Sequence, residues 1–455
     1  MEELLLKQKE FFQTNQTKNI NFRKKQLNIL KNAIIENEKK ILEALNQDLG
    51  KCEMESYSSE IGVSIHEINL HLKNLNKWSK SQKVGTDRFM FPLGKSYIMK
   101  EPLGNVLIIG PWNYPFGLIM SPLVGAISAG NCVTLKPSEI SKNTSKIIKE
   151  IIENNFPPEY IQVVEGGANE TQLLLNANFD YIFYTGGEKV GKIVMEAAAK
   201  NITPLTLELG GKSPCIIDKD CNLDICADRI CFGKFINVGQ TCIAPDYILV
   251  DKEIKEELIE KIKETIIKFY GTNAKESKDY GRIININHFN RLKSYLIEGN
   301  IAFQCGEFDE KELFFPPTII DKCDDCKIME EEIFGPILPI LEYDNIEEAI
   351  DYINNKPKPL ALYIFSNNKT FQNNILLKTS SGGVSINDTL FHIVNDKLPF
   401  GGVGNSGFGK YHGKASFELF SNSKSVFKNA TLFNLPIYPP YKEYYLKLVK
   451  FIFGR

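Results

Sequence analysis

Features that would mark a nucleic-acid-binding, membrane or metal protein are scarce in this chain. Its 455 residues include only five histidines and two tryptophans, and the formal net charge is −2. So small a net charge gives no electrostatic footprint for nucleic acid. No apolar run approaches the roughly 18 residues that a membrane-spanning helix needs, and the acidic start Met1-Glu2-Glu3 does not resemble a secretory signal. We therefore expect a soluble, cytoplasmic protein with no nucleic-acid partner and no integral membrane segment.

Cysteine is also too irregularly spaced to indicate a disulfide scaffold. The ten cysteines show no dense, regular pattern, and reduced thiols fit a cytosolic compartment. One CxxC motif occurs, at Cys323 and Cys326, but no second Cys/His pair follows at the spacing of a zinc site. The motif therefore favours a surface loop, and we predict no metal.

The length of the chain fits two or three domains. Apolar residues at helical spacing predict a helix over residues 21–49 and a second over about 54–80. From Val106 onward, short apolar strands alternate with helices, which is typical of βαβ units and parallel sheets, and the pattern restarts near residue 209. The predicted strands are 106–109, 132–136, 161–164, 180–184, 214–217, 247–250 and 360–365, and the predicted helices include 118–129 and 253–270.

Three residues in glycine- or proline-containing turns have side chains suited to acyl chemistry at a carbonyl. Cys242 lies in a Gly-Gln-Thr-Cys segment between a helical run and a strand, where a loop can present a thiol to a substrate. Glu208 precedes a Gly-Gly pair, and Asn113 lies in a Pro-Trp-Asn-Tyr-Pro turn. Cys242 alone would more often be structural, but a thiol, a carboxylate and an amide donor together supply a nucleophile, a base and an oxyanion donor.

Two glycine-rich segments compete as the phosphate site of a dinucleotide. Residues 402–407 match GxGxxG, but the preceding residues include Pro399 and predict no strand, and no acidic residue follows at the distance of a ribose contact. Residues 185–191 directly follow a predicted strand and open a helix, so their backbone N–H groups can face an anion. We favour this second segment. Its candidate cofactor residues are Thr185, Gly186, Gly187 and Val190.

The turns around Asn113, Glu208 and Cys242 resemble those of the aldehyde dehydrogenase superfamily. Their amino-acid sequences resemble its class 3 branch, which acts on fatty and aromatic aldehydes. The resemblance covers nearly the whole chain and implies an α/β fold with two parallel-sheet Rossmann-type domains and a small β extension for oligomerisation. Three further segments carry it: Lys136-Pro137-Ser138-Glu139, Glu331-Glu332-Ile333-Phe334-Gly335-Pro336 and Pro399-Phe400-Gly401-Gly402-Val403-Gly404-Asn405-Ser406-Gly407.

The resemblance also implies a division of the chain. Residues 1–83 and 104–208 would form an NAD-binding domain, residues 209–416 a catalytic domain, and segments 84–103 and 417–430 the strands that pair two subunits in a homodimer. In the tail 431–455, apolar residues recur at helical spacing among lysines, which predicts a basic amphipathic helix. This helix could lie on a membrane surface or only pack; we favour a role in gating the substrate. Its apolar residues are Tyr445, Leu448, Val449 and Ile452.

By resemblance, the cofactor is NAD, with NADP also accepted. Lys136 and Glu139 would hydrogen-bond the adenine ribose, and Glu332 and Phe334 would hold the nicotinamide ribose and ring. Leu209 and Gly210 complete the cofactor set that the resemblance implies.

The resemblance further implies a mechanism. Cys242 would attack an aldehyde as the thiolate, Asn113 and the Cys242 backbone N–H would hold the oxyanion, and Glu208 would activate the water that hydrolyses the thioester. A CoA-acylating or phosphorylating dehydrogenase has no use for a base at Glu208. A non-enzymatic relative would be expected to have lost one of the three residues. Four aromatic residues suggest an apolar funnel for medium-chain, long-chain or aromatic aldehydes: Trp112, Tyr114, Phe116 and Phe391.

Overall fold

The computed structural model describes residues 2–88, 91–323, 326–432 and 438–454. Within these ranges no helix is both long and apolar enough to cross a membrane. The helices are α1 (Glu2–Gln13), α2 (Ile20–Glu36), α3 (Glu38–Leu49), α4 (Glu53–Ser56), α5 (Gly62–Trp78), α6 (Gly117–Ala129), α7 (Lys142–Asn155), α8 (Ala168–Leu175), α9 (Glu188–Asn201), α10 (Leu223–Phe235), α11 (Lys255–Tyr270), α12 (Ile286–Tyr295), α13 (Ile346–Asn354), α14 (Lys369–Lys378), α15 (Lys414–Leu419) and α16 (Glu443–Ile452).

The strands form two large sheets and one small one. Most pairs in the large sheets are parallel, and their central strands are buried along their whole length, which explains their near-continuous apolar sequence. The strands are β1 (Gln82–Val84), β2 (Lys95–Pro102), β3 (Asn105–Ile109), β4 (Cys132–Lys136), β5 (Ile161–Val163), β6 (Tyr181–Thr185), β7 (Leu205–Glu208), β8 (Pro214–Ile217), β9 (Tyr247–Asp251), β10 (Asn300–Gln304), β11 (Thr318–Asp321), β12 (Ile337–Tyr343), β13 (Ala361–Phe365), β14 (Gly383–Ile386), β15 (Gly407–Phe408) and β16 (Ser421–Lys428).

The sheet order confirms the predicted α/β class. The first sheet runs β15-β7-β6-β3-β4-β5 and the second β10-β11-β12-β9-β8-β13-β14; β15 and β10 are antiparallel to their neighbours. The short strand β15 comes from the range assigned to the catalytic domain, yet it pairs with β7 in the first sheet. The sheet β1-β2-β16 is antiparallel and separate. The domain boundaries and the oligomeric role of the small sheet stay predictions.

Three sequence predictions need correction. The helix predicted over residues 21–49 breaks at Asn37, whose side-chain amide donates to the Ala33 carbonyl at 2.9 Å and competes with the helical backbone. The helix predicted over 54–80 contains a π-helical turn at Tyr57–Ile61. Segment 417–430 does not begin as a strand, because Phe417 is buried within α15.

Two predicted features fall partly outside the described residues. In the CxxC motif, Asp324 and Asp325 lie outside them, while Cys323 is buried rather than in an exposed loop. The described residues hold no group of three or more His, Cys, Asp or Glu side chains that could bind a metal. Within the predicted amphipathic tail 431–455, the structure has the helix α16; residues 433–437 and 455 and the side chain of Ile452 lie outside the description.

Candidate active site

The loop that carries Cys242 is shaped by the end of α10. After Phe235 the chain turns through Asn237, Val238 and Gly239, which all have positive φ, at 50°, 56° and 72°. A Cβ at Gly239 would lie 2.3 Å from the Gly335 carbonyl oxygen, so this close approach requires glycine. The strained turn redirects the chain away from the helix and leaves Cys242 partly exposed in a loop, as predicted.

Asn113 lies against this loop. Its side-chain amide donates one hydrogen bond to the Gln240 carbonyl, at 2.9 Å. Its own carbonyl accepts from the Asn237 side chain at 2.9 Å and from Lys51 Nζ at 3.0 Å. Because an amide nitrogen carries two hydrogens, Asn113 has a second N–H, for which the described residues show no acceptor.

The turn that holds Asn113 is anchored by a buried ion pair that sequence reasoning missed. Lys51 Nζ lies 2.6 Å from Glu60 Oε1, and both side chains are fully buried. Glu60 Oε2 accepts hydrogen bonds from the backbone N–H groups of Phe116 and Gly117, at 2.9 and 3.1 Å, where α6 begins. Glu60 therefore caps α6 and holds Lys51 under Asn113. No local sequence pattern links residues so far apart in the chain.

Glu208, at the end of β7, is 2% exposed, and neither of its carboxylate oxygens has a hydrogen-bond partner among the described residues. Burial raises the pKa of Glu208 well above its usual range, and Lys410 opposes this shift. The glycine-rich loop passes close by, since a Cβ at Gly401 would lie 2.7 Å from Glu208 Oε1. The GxGxxG match is thus part of a loop packed on the candidate base.

Glu208 and Glu332 lie close enough to Cys242 to influence its ionisation. Burial raises the pKa of Cys242 well above the ordinary thiol range, and the carboxylates of Glu332 and Glu208 raise it further. Burial, followed by the neighbouring Asp246, also raises the pKa of Glu332 to about 8. The structure therefore brings the predicted nucleophile, the predicted base and one predicted cofactor residue into a single site.

The predicted cofactor residues of the first sheet lie at the carboxyl ends of β4 and β6. Buried Lys136 donates from Nζ to Glu139 Oε2 at 3.2 Å, where β4 ends. The buried Thr185 hydroxyl has no partner among the described residues. Gly187 has open space around it directly before α9. A helix N-terminus with free space and an orphaned hydroxyl fits the phosphates of a dinucleotide such as NAD(P).

The second group of predicted cofactor residues lies around Glu332 and at the end of β7. A Cβ at Gly210 would lie 2.0 Å from Glu332 Oε2, and Leu209 packs on the Gly191 backbone. Phe334 has a φ of 48°, and its ring meets that of Trp112 edge-on at 5.2 Å. Val190, by contrast, is exposed on α9.

Two buried lysines support this second group, and sequence reasoning missed both. Lys212 pairs with Asp246 at 2.5 Å, and the other carboxylate oxygen of Asp246 accepts from the Ile333 N–H at 2.9 Å, which fixes the loop that carries Glu332. The Lys234 amine is fully buried without a hydrogen-bond partner among the described residues. Burial lowers its pKa to about 8, while Asp246 and Glu332 oppose the shift.

The aromatic funnel predicted from sequence is only partly present. Phe116 is fully buried in the core and cannot line a funnel, because it packs where α6 begins. Tyr114 hydrogen-bonds the Thr241 hydroxyl at 2.7 Å, beside Cys242. Phe391 is half exposed and stacks on Phe232, a residue that the sequence did not single out, at 5.9 Å between ring centres.

A family model described as the aldehyde dehydrogenase family matches residues 3–426. The chain belongs to the aldehyde dehydrogenase family. It is 51% identical over 438 residues to 4,4′-diaponeurosporen-aldehyde dehydrogenase of Staphylococcus aureus, covering 95% of each chain. It is 48% identical over 456 residues to mouse aldehyde dehydrogenase family 3 member A2, covering 99% of this chain and 94% of the relative. These relatives confirm the resemblance to the class 3 branch.

Further relatives bear on the cofactor. The enzyme is 48% identical over 425 residues to a rat dimeric NADP-preferring aldehyde dehydrogenase, covering 93% of each chain. Among solved structures, the substrate-bound state of Staphylococcus aureus AldH has a TM-score of 0.97, with 49% identity and 99% of each chain covered. A Staphylococcus aureus betaine aldehyde dehydrogenase in complex with NAD+ has a TM-score of 0.84, with 28% identity, 96% of this chain and 88% of the other covered.

Proposed function

We propose that this aldehyde dehydrogenase oxidises apolar aldehydes to carboxylic acids with NAD(P), through a covalent thioester on Cys242. The observation that carries the proposal is the convergence of three groups at one loop. Asn113 bonds to the residue two before Cys242, while the buried carboxyl of Glu208 interacts electrostatically with the same thiol. Asn113 supplies an oxyanion donor, Cys242 a nucleophile and Glu208 a base.

In the first half of the reaction, Cys242 adds as the thiolate to the aldehyde carbonyl and forms a thiohemiacetal. The free N–H of the Asn113 amide and the backbone N–H of Cys242 hold the negative oxygen. One such donor is typically worth roughly 3 kcal/mol in the transition state. NAD(P) supplies the hydride acceptor that makes this intermediate a thioester.

In the second half, Glu208 takes a proton from the water that attacks the thioester. Its two carboxylate oxygens are buried, have no hydrogen-bond partner in the part of the chain that the structure describes, and can accept that water. A CoA-acylating enzyme would need space for a bulky thiol and no base at this position. Release of the free acid is therefore the outcome that we propose.

NAD is the cofactor that we propose, with NADP accepted as well. The Glu139 carboxylate is half exposed beside Lys136, where it can accept hydrogen bonds from free ribose hydroxyls and would repel a ribose phosphate. The buried Lys136 amine offers a compensating cation. The rat relative is named NADP-preferring, which supports the acceptance of NADP.

We propose medium- or long-chain aliphatic or aromatic aldehydes as substrates. Tyr114 lies at the Cys242 loop through its hydrogen bond to Thr241, and the stacked, partly exposed rings of Phe391 and Phe232 add apolar surface. A relative at 51% identity is named for diaponeurosporen-aldehyde, which adds support for an apolar substrate. The exposed helix α16 is the proposed cover of the funnel, with peripheral membrane contact as the alternative.

We also propose a cytoplasmic homodimer. The antiparallel sheet β1-β2-β16 has edges that a monomer would have to protect, and the rat relative is named dimeric. Light scattering at micromolar concentration should give twice the 51.6 kDa chain mass. A monomeric mass would contradict the assembly without affecting the proposed reaction.

An aldehyde chain-length panel, with NAD and NADP measured side by side, tests the proposed function. Wild-type enzyme should form one NADH or NADPH per acid released, with kcat/KM rising with chain length. Cys242→Ser and the buried but remote Cys231→Ser serve as a matched pair, because only the first removes the proposed nucleophile. Failure of the wild type to reduce either cofactor with any aldehyde would contradict the proposal.

A further inference from the structure

Lys410 lies beside the candidate base and has no role in the reaction as described so far. It follows β15, whose Gly407 is paired with Glu208 itself in the sheet register. Its ammonium donates to the Gly382 carbonyl at 3.1 Å and to the Gly401 carbonyl. The lysine therefore spans the glycine-rich loop that covers Glu208.

The geometry around Gly401 brings Lys410 close to the Glu208 carboxylate. The point where a Gly401 Cβ would stand lies 2.7 Å from Glu208 Oε1 and 3.2 Å from Lys410 Cδ. Because both atoms lie this close to one point, Glu208 Oε1 and Lys410 Cδ are near each other. The described contacts include no direct ion pair between the two side chains, so the ammonium acts on the carboxylate through its charge rather than through a hydrogen bond.

The charges around Glu208 make Lys410 distinctive. The titratable groups that interact with this carboxyl in the described residues are Lys410, Cys242, Tyr181 and Tyr411. Of these four, Lys410 is the one that carries positive charge at neutral pH. Burial lowers the pKa of Lys410 and Glu208 opposes that shift, so each group favours the charged form of the other.

We infer that Lys410 is a positioning residue for thioester hydrolysis, an inference that rests on the function proposed above. Its ammonium stabilises the ionised carboxylate of Glu208, which is the form that can accept a proton. In the step itself, the water oxygen bonds to the thioester carbon while one water proton passes to Glu208. The carbon–sulfur bond breaks, and the products are the carboxylic acid, the Cys242 thiolate and a protonated Glu208.

Three substitutions separate the charge of Lys410 from its hydrogen bonds. Lys410→Met removes both, Lys410→Gln keeps a donor without the charge, and Lys410→Arg keeps the charge. Lys397→Met, at an exposed position of the same loop region, is the matched control. Rapid mixing of the full-length enzyme with aldehyde and NAD gives the hydride-transfer rate from the first turnover and the hydrolysis rate from the steady state, each measured across pH 6–10.

For Lys410→Met and Lys410→Gln we expect an unchanged first turnover, a burst of NADH near one per active site and a slower steady state. Loss of the cation raises the pKa of the base, so the acid limb of the steady-state profile should move up by about one pH unit, with rates about tenfold lower on that limb. Lys410→Arg and Lys397→Met should behave as wild type.

Three results would overturn the inference: an unchanged profile in Lys410→Met, rescue by Lys410→Gln, which would indicate a purely structural hydrogen bond, or loss of the first turnover in all three variants. None of these results would contradict the proposed function, because NADH formation by the wild-type enzyme tests that function separately in the same experiment. Absence of NADH from wild type would instead refute the function itself.

Discussion

Glu60→Gln is expected to destabilise the enzyme and to disturb Asn113, although Glu60 is not among the residues proposed to bind cofactor or substrate. The amide keeps an oxygen for the N–H groups of Phe116 and Gly117, so the substitution chiefly removes the negative charge. It leaves the fully buried ammonium of Lys51 without its partner at 2.6 Å. Breaking a buried pair in this way typically costs about 3–5 kcal/mol.

The assay is thermal unfolding of the free enzyme, with kcat measured in parallel. For a cooperative unit of about 150–250 residues, a loss of this size lowers Tm by at least about 6 °C. Because Lys51 also donates to the Asn113 carbonyl at 3.0 Å, kcat should fall with it. The double variant Lys51→Met/Glu60→Gln should regain much of the stability, since it buries no unpaired charge, but not the activity.

The control is Glu165→Gln, which breaks the Lys149–Glu165 pair. That pair is also a close ion pair, at 3.1 Å, but its side chains are 39% and 37% exposed. Such surface pairs contribute at most about 1 kcal/mol. A Glu60→Gln protein that melts within about 2 °C of wild type, like this control, would refute the reasoning that the buried pair holds the Asn113 turn.

Four further predictions follow from the site. Cys242→Ala should abolish both aldehyde oxidation and ester hydrolysis. Appreciable NADH formation by this variant would contradict the proposed role of Cys242 as nucleophile. Glu208→Gln should keep a burst of NADH near one per active site but lose at least about 100-fold in steady-state rate; loss of the burst would instead indicate activation of Cys242. Burial and two carboxylates raise the pKa of Cys242. The rate at which iodoacetamide alkylates Cys242 should therefore increase as pH rises through the alkaline range, and Glu332→Gln should increase that rate at pH 8. An alkylation rate that reaches its plateau near neutral pH would contradict this prediction. Deleting residues 441–455 should raise KM for long-chain aldehydes far more than for short ones. An unchanged chain-length preference would indicate that α16 only packs on the protein and does not gate the substrate.

The features that sequence predicted well are those encoded locally. The buried strands β3 and β8 are largely apolar runs between turns, so their positions follow from composition alone. The loop at Gly239 was recognisable because its sequence contains the glycine that the turn requires: a Cβ there would lie 2.3 Å from the Gly335 carbonyl oxygen. Burial of Phe116 was not recognisable, because it depends on how α6 enters the core rather than on the neighbouring residues.

The features that sequence missed are buried charges whose partners are remote in the chain. Lys51 and Glu60 support Asn113 across more than fifty residues, and Lys410 meets Glu208 across two hundred. A lysine in a sequence is ordinarily read as exposed, since isolated charges are seldom buried. Lys234 contradicts that expectation completely, and its burial becomes understandable only when Asp246 and Glu332 are seen beside it.

The mutual effect of Cys242 and Glu208 gives the proposed reaction an internal order. A negative charge on either group disfavours a negative charge on the other, since each carboxylate raises the pKa of the thiol. While the thiolate is needed for attack, a protonated Glu208 is therefore the favoured partner. Once the sulfur is acylated it carries no charge, so the repulsion ends and Glu208 ionises more readily. The base thus becomes competent at the stage when a thioester is present to hydrolyse, with Lys410 as the nearby cation that completes the change.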